Sequence, residues 1–188
     1  MSRWEPDARG RLQLAAMELY DERGFEQTTV AEIAERAGLT ERTFFRHFVD
    51  KREVLFDGQD ALRERFIAEV TGAPDGGRPL EAVTAALRAV AADFEPRRPW
   101  SRQRARVVAA NPGLQERELI KLALLGSAIA AALRGRGIPE PEASLTAESG
   151  IGVFRISFER WVHPDETRDF AEIIEESLAA LKTVTADA

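Results

Sequence analysis

From Leu12 to Leu181 the apolar residues of this 188-residue chain return at three- and four-residue spacing. No stretch alternates β-branched or aromatic residues with polar ones. That periodicity constrains the fold more than any other feature. Residues three and four apart share one face of a helix, whereas a half-buried strand needs a period of two. Ala, Leu, Glu and Arg dominate the same stretches, and these side chains lose little freedom in a helix. The expectation is an all-α fold.

Punctuation sets the helix count. Gly24 stops a first helix over 9–23. Thr29, with Glu32 three residues on, fits a capping box, in which each side chain satisfies an orphan N–H of the other's residue. It opens a second helix whose inner face is Val30, Ile33, Ala34 and Ala37, and Gly38 supplies a left-handed stop. Thr40 opens a very short third helix. Asp50, with Glu53 three residues later, opens a long fourth that reaches about 71. The run Gly72-Ala73-Pro74-Asp75-Gly76-Gly77-Arg78-Pro79 is the clearest loop. Beyond it, helices are expected over 80–94, 100–110, 112–136, 142–162 and 165–184, about nine in all. Breaks fall at Pro96 and Pro99, at Asn111-Pro112, from Gly135 to Pro141, and at His163-Pro164. The 112–136 segment is apolar around most of its circumference and reads as the central buried helix.

Absences narrow the chemistry. There is no cysteine, so disulfides, thiolate nucleophiles and cysteine-based metal sites are excluded. His47 and His163 lie far apart in sequence without a carboxylate cluster, which leaves no histidine metal site. Glu172, Glu175 and Glu176 are carboxylates available for acid–base work, but no nucleophile stands near them, and a solvated helix face accounts for them. Neither an enzyme nor a cofactor is expected. The N-terminus lacks an apolar signal core, and the longest near-apolar run, 122–133, is too short to span a bilayer. The expectation is a cytoplasmic protein without a membrane role.

The net charge is −6, which argues against indiscriminate attraction to nucleic acid. One short element runs against that balance. Between Arg36 and Arg52 stand Arg36, Arg42, Arg46, Lys51 and Arg52 against Glu41 and Asp50, an excess of three positive charges. On a helical wheel Phe44 and Phe48 share one face of the third helix, with His47 beside them; Arg42 and Arg46 fall opposite, flanked by Thr43 and Phe45. Rings thus pack inward and guanidinium groups stand out. Two short helices joined by Ala37-Gly38-Leu39 make a helix-turn-helix pattern, and an outward arginine pair suits the major groove of DNA. The alternative is an ordinary solvated arginine face. Upstream, Arg3, Arg9 and Arg11 allow either a basic arm for a minor groove or a frayed terminus.

The stretch TTVAEIAERAGLTERTFFRHFVDKREVLF resembles the DNA-binding domain of TetR-family transcriptional regulators. The resemblance implies a helix-turn-helix domain over 1–56 and a helical effector-binding and dimerisation domain over 57–188. It implies a homodimer on a palindromic double-stranded DNA operator, acting as a repressor released by a small-molecule effector. Carried over by position, it implies backbone contacts near Thr29, His47 and Lys51, and base or groove contacts from Thr40, Arg42, Thr43 and Phe45. Where the family usually has tyrosine this chain has Phe45, which cannot donate to a phosphate; Arg46 is then placed to take over phosphate binding. His47 leans toward the body of the domain, so packing and phosphate contact both fit it.

In the second region Arg97, Arg98, Arg102, Arg104 and Arg106 fall within ten residues with no acid between them. Arg102 and Arg106 share a wheel face. With Phe94, Trp100, Phe154 and Phe158 they suggest an apolar, aromatic cavity with a cationic mouth, suited to an anionic amphiphile such as an acyl-CoA or an aromatic acid. This part also resembles an actinobacterial-type subset of the family with acyl-CoA-like effectors. A solvated basic face is the other reading. Phe158, Trp161, Phe170, Ile173, Ile174 and Leu178 stripe the last two helices and are expected at a dimer interface; the other reading is that they cover the chain's own core. A helical small-molecule carrier or interaction module without a DNA role remains the alternative for the whole chain.

Overall fold

The computed structural model describes residues 8–186. Among them are nine α-helices and no strand. They are α1 (Ala8–Arg23), α2 (Val30–Arg36), α3 (Glu41–His47), α4 (Gln59–Gly72), α5 (Pro79–Phe94), α6 (Arg98–Ala109), α7 (Pro112–Gly135), α8 (Glu142–Trp161) and α9 (Phe170–Thr185). A single 3-10 turn, Glu95–Arg97, leads into α6. Arg3 lies outside the described residues. The chain divides into two compact units. The first comprises the described residues up to Asp57 together with Gln103–Glu116; the second comprises Gly58–Arg102 and the described residues from Arg117 onward.

In the first unit α1, α2 and α3 pack around Leu12, Ala16, Leu19, Ile33, Ala34 and Phe44, all but removed from solvent. The expected capping box is present: the Thr29 hydroxyl accepts from the Glu32 N–H at 3.3 Å, and Glu32 accepts from the Thr29 N–H at 2.9 Å. That backbone bond, joined by the Thr29 hydroxyl, holds the Glu32 carboxyl below its usual range. Gly38, at φ +65°, ends α2, with Leu39 N–H reaching Ala34 O at 2.8 Å. The fourth helix departs from expectation. Asp50 does accept from Arg52 and Glu53 N–H at 2.8 and 3.1 Å, yet residues 51–58 form a series of turns. Gly58, at φ +89°, interrupts the backbone, and helix α4 begins at Gln59.

Residues 103–116 add Val107, Val108 and Leu114 to the first unit's core. Arg104, buried, donates to Leu55 O at 2.6 Å and lies over the Phe56 ring. Gln103 donates to Met17 O and to Asp21 at 3.1 and 2.8 Å.

In the second unit the central helix is α5, not the 112–136 segment. Helix α5 buries Val83, Ala86, Leu87, Val90 and Ala91 and packs against α4, α8 and α9. Helix α7 turns Leu125, Ile129 and Leu133 inward and leaves Leu119, Ile120 and Leu124 exposed. An all-round apolar helix is thus only half covered. Pro99 does not break the chain as expected; it sits in the first turn of α6, where no intrahelical N–H is required.

Close approach of α5 and α8 depends on Gly150. A Cβ there would overlap Cγ1 of Val83. Gly150→Ala should therefore destabilise the protein by about 1–3 kcal/mol, the usual cost of overpacking a core, read as a lowered midpoint in urea denaturation. Gly113→Ala, in α7, where an added Cβ meets nothing within 4 Å, should leave the midpoint near wild type.

Candidate nucleic-acid interface

Helix α3 is seven residues long and cannot persist alone. Packing holds it. Phe44 is fully buried and Phe48 nearly so, with ring centroids 5.5 Å apart. The inward rings fix the outward face. Arg42 and Arg46 are both exposed and make no hydrogen bond or ion pair with any described residue. Phe45 is 55% exposed beside them.

The remaining cations of the basic stretch are otherwise engaged. Arg36 forms a two-pronged pair with Glu22, both bonds 2.9 Å, and reaches Glu18 at 3.2 Å. Arg52 is held by Asp50 at 3.0 and 2.6 Å. Lys51 donates to the carbonyls of Phe25, Glu26 and Thr28 at 2.8, 3.2 and 2.8 Å, and its ammonium lies 4.5 Å from the Phe25 ring centroid. Those three bonds use every donor the ammonium has. The Lys51 ammonium, expected near a DNA backbone, is thus engaged in a latch within the first unit, which Tyr20 completes by donating to Lys51 O at 2.7 Å. Arg9 pairs with Asp57, and Arg11 donates to Ala37 O, so neither forms a loose arm.

The threonines serve as caps. Thr29 caps α2; Thr40 caps α3, accepting from Thr43 N–H at 3.2 Å, and its hydroxyl lies 3.0 Å from that of Thr43. His47 is half-buried, with Nε2 enclosed and without a partner among the described residues. The structure therefore brings Arg42, Thr43, Phe45 and Arg46 together on the outward side of α3 and ties Thr29 and Lys51 into the scaffold.

The second region corrects two expectations. The arginine cluster is not a mouth. Arg98 donates to Thr167 O and Arg168 O and lies over the Trp161 ring. Arg102 donates to His163 O and Glu166 O at 2.9 and 2.6 Å. Both satisfy carbonyls of the segment between α8 and α9, where no helical ladder supplies a partner. Arg106 pairs with Asp21 within the first unit. Phe94, Phe154 and Phe158 are neighbours as expected, but as packed rings: Phe94 lies 5.9–6.4 Å from Phe154, Phe158, Trp161 and Phe170. Trp100 is half-buried and takes no part in these ring contacts.

Nor are the expected interface residues available to a partner chain. Trp161, Phe170, Ile173 and Ile174 are wholly buried in this chain's own core, Leu178 nearly so, and Phe158 packs against it. Trp161 stacks on Phe170 at 4.7 Å, and Glu95 accepts from Trp161 Nε1 and Phe170 N–H at 3.2 and 2.8 Å. The outward stripe of α8 is Leu145, Ser149, Gly152 and Ile156, with Leu145 64% and Ile156 48% exposed. Its spacing of four, three and four was open to reading in the sequence, masked by the bulkier inward stripe.

A capped helix-turn-helix in one helical unit, and a second helical unit around aromatic rings, define a helix-turn-helix protein with an appended helical domain. Comparison with known proteins agrees. A family model described as bacterial regulatory proteins of the tetR family matches residues 14–57, and one described as the MftR C-terminal domain matches 78–186. The chain belongs to the TetR family, a family of regulators rather than enzymes. It is similar to the HTH-type transcriptional regulator TcmR of Streptomyces glaucescens, 44% identical over 82 residues, which cover 44% of this chain and only 36% of that relative's length. Among solved structures it resembles Thermus thermophilus FadR, a TetR-family repressor in complex with lauroyl-CoA, at 28% identity over 92% of both chains and a TM-score of 0.55. It shares its fold with the fatty acid degradation regulator FadR of Bacillus halodurans, at 16% identity over 95% of this chain and 96% of that one, with a TM-score of 0.62. No described helix is long and apolar enough to cross a membrane.

Lys51 and Arg42 should separate cleanly in stability. Lys51→Met strands three backbone carbonyls and should cost about 1–3 kcal/mol in urea denaturation. Arg42→Ala breaks no contact within the described residues and should fall within about 0.5 kcal/mol of wild type.

Proposed function

We propose that this protein is a homodimeric transcriptional repressor that reads a palindromic operator with α3 and leaves it when a small molecule binds the second unit. The observation that carries this reading is the pair Arg42 and Arg46, exposed and unpaired among the described residues on the outward face of the second helix of a helix-turn-helix. Like charges one turn apart repel in a free helix by a few tenths of a kcal/mol. A polyanion offsets that cost, and arginine offers it two parallel bonds to guanine or phosphate. DNA as partner makes the cytoplasm its place of work.

The outward stripe of α8 supports self-association. Leu145 and Ile156 are the apolar ends of a seam with Ser149 and Gly152, both small, at its centre. Two antiparallel copies of α8 can share such a shape about a two-fold axis. Two α3 helices about 34–36 Å apart then match half-sites one turn of DNA apart. For the effector, the lauroyl-CoA complex of the Thermus FadR supports an anionic amphiphile, an acyl-CoA or an aromatic acid. Arg102 Nη2 is held by the carbonyls of His163 and Glu166, and Arg106 pairs with Asp21, so neither side chain supports a cationic mouth for the head group.

Selection from a random duplex pool at stated salt should recover a palindrome. The double variant Arg42→Ala/Arg46→Ala should bind it at least about a hundredfold more weakly, since each lost arginine contact is worth about 1–3 kcal/mol, with circular dichroism unchanged. Undiminished binding would favour a carrier or interaction module instead. Leu145→Asp with Ile156→Asp should yield a monomer in sedimentation with wild-type helix content. Trp161→Ala should instead cost about 3–5 kcal/mol of stability, as a core truncation does. Lauroyl-CoA should raise the melting temperature and weaken operator binding, the coupling amounting to about 1–3 kcal/mol.

A further inference from the structure

We propose that Phe45 selects thymine in the operator by contact with its C5-methyl group in the major groove. This rests on the DNA-reading role given to α3 above and adds to it the base that this side chain recognises.

The ring is 55% exposed, while Phe44 and Phe48, from the same short segment, are buried. Its sequence position, three residues after Arg42 and one before Arg46, sets it on the same outward surface as the two free guanidinium groups. Whatever anion those groups approach, the ring approaches with them. It is also held in place. The Phe44 and Phe45 ring centroids lie 5.5 Å apart at 83°, an edge-to-face contact with a ring that is itself fully enclosed. A ring ordered before binding loses little freedom on docking, which favours recognition by shape.

Chemistry then narrows the target. A phenyl ring neither donates nor accepts a hydrogen bond, so it has nothing to offer a phosphate. Set against the polar edge of guanine, adenine or cytosine, it strips water from groups that it cannot satisfy. In the major groove one base presents an apolar group, the methyl at C5 of thymine. Phe45 gains there and loses elsewhere. The residue thus discriminates twice, by attraction to the methyl group and by the desolvation cost at every other base edge.

Deoxyuridine isolates the methyl group, because it pairs as thymine does and lacks that group alone. The full-length protein is titrated against the duplex recovered from the pool, with each symmetric thymine pair replaced in turn by deoxyuridine. One pair should be sensitive, with affinity falling about fourfold for each half-site changed, the value of one buried carbon group. Phe45→Ala should bind the thymine duplex more weakly by a similar factor and bind the thymine and deoxyuridine duplexes alike, with the helix content in circular dichroism unchanged. Wild-type protein that binds tightly yet tolerates deoxyuridine at every position overturns the role of the ring and leaves the DNA-reading function standing. Sensitivity that persists in Phe45→Ala also overturns it. Failure to retain any duplex overturns both.

Discussion

Burial of Phe44 and Phe48 beneath α3 fixes the rotation of that helix about its own axis. Seven residues give too few backbone bonds to stand alone, so the helix exists only as long as its rings are enclosed. The same enclosure decides which side chains face away. Arg42 and Arg46 stand out because Phe44 and Phe48, two places beyond each, are drawn in. The Thr29 and Thr40 caps, the left-handed Gly38 and the Lys51 latch all brace this one arrangement. The outward cationic surface is therefore a by-product of hydrophobic packing, and its charge stands out against a chain of net charge −6.

Much of this was legible in the chain. Periodicity announced helices, and short motifs with a mechanism announced their ends. Thr29 with Glu32, and Thr40 before Glu41, can be read because a cap involves residues at most three apart. The rest involves residues far apart. Lys51 looks like a free cation in sequence; only folding brings the carbonyls of Phe25, Glu26 and Thr28 around it. Arg102 lies sixty-one residues from His163. Five arginines in ten residues with no acid between them read equally well as an anion trap or as a set of carbonyl clasps, and the partners decide.

The inward and outward faces of the last helices show the same limit from another side. Wheel arithmetic finds the stripe of large residues on α8 and α9, and that stripe proves to be internal. Helix α7 departs from expectation for a related reason: apolar composition around a whole helix says that burial is favourable, not that enough neighbours are present to provide it. Helix α5, with small alanines that let three other helices come close, holds the centre instead.

The first unit is discontinuous in the chain. Val107, Val108 and Leu114 sit in its core, and Arg104 binds the Leu55 carbonyl. During synthesis the leading segment therefore has to wait for its missing pieces. At about 5–20 residues per second, the interval between the emergence of Asp57 and that of Glu116 is on the order of seconds, during which Leu55 and Phe56 lack their cover. An exchange of heads between relatives would have to carry the distant helical segment along with it.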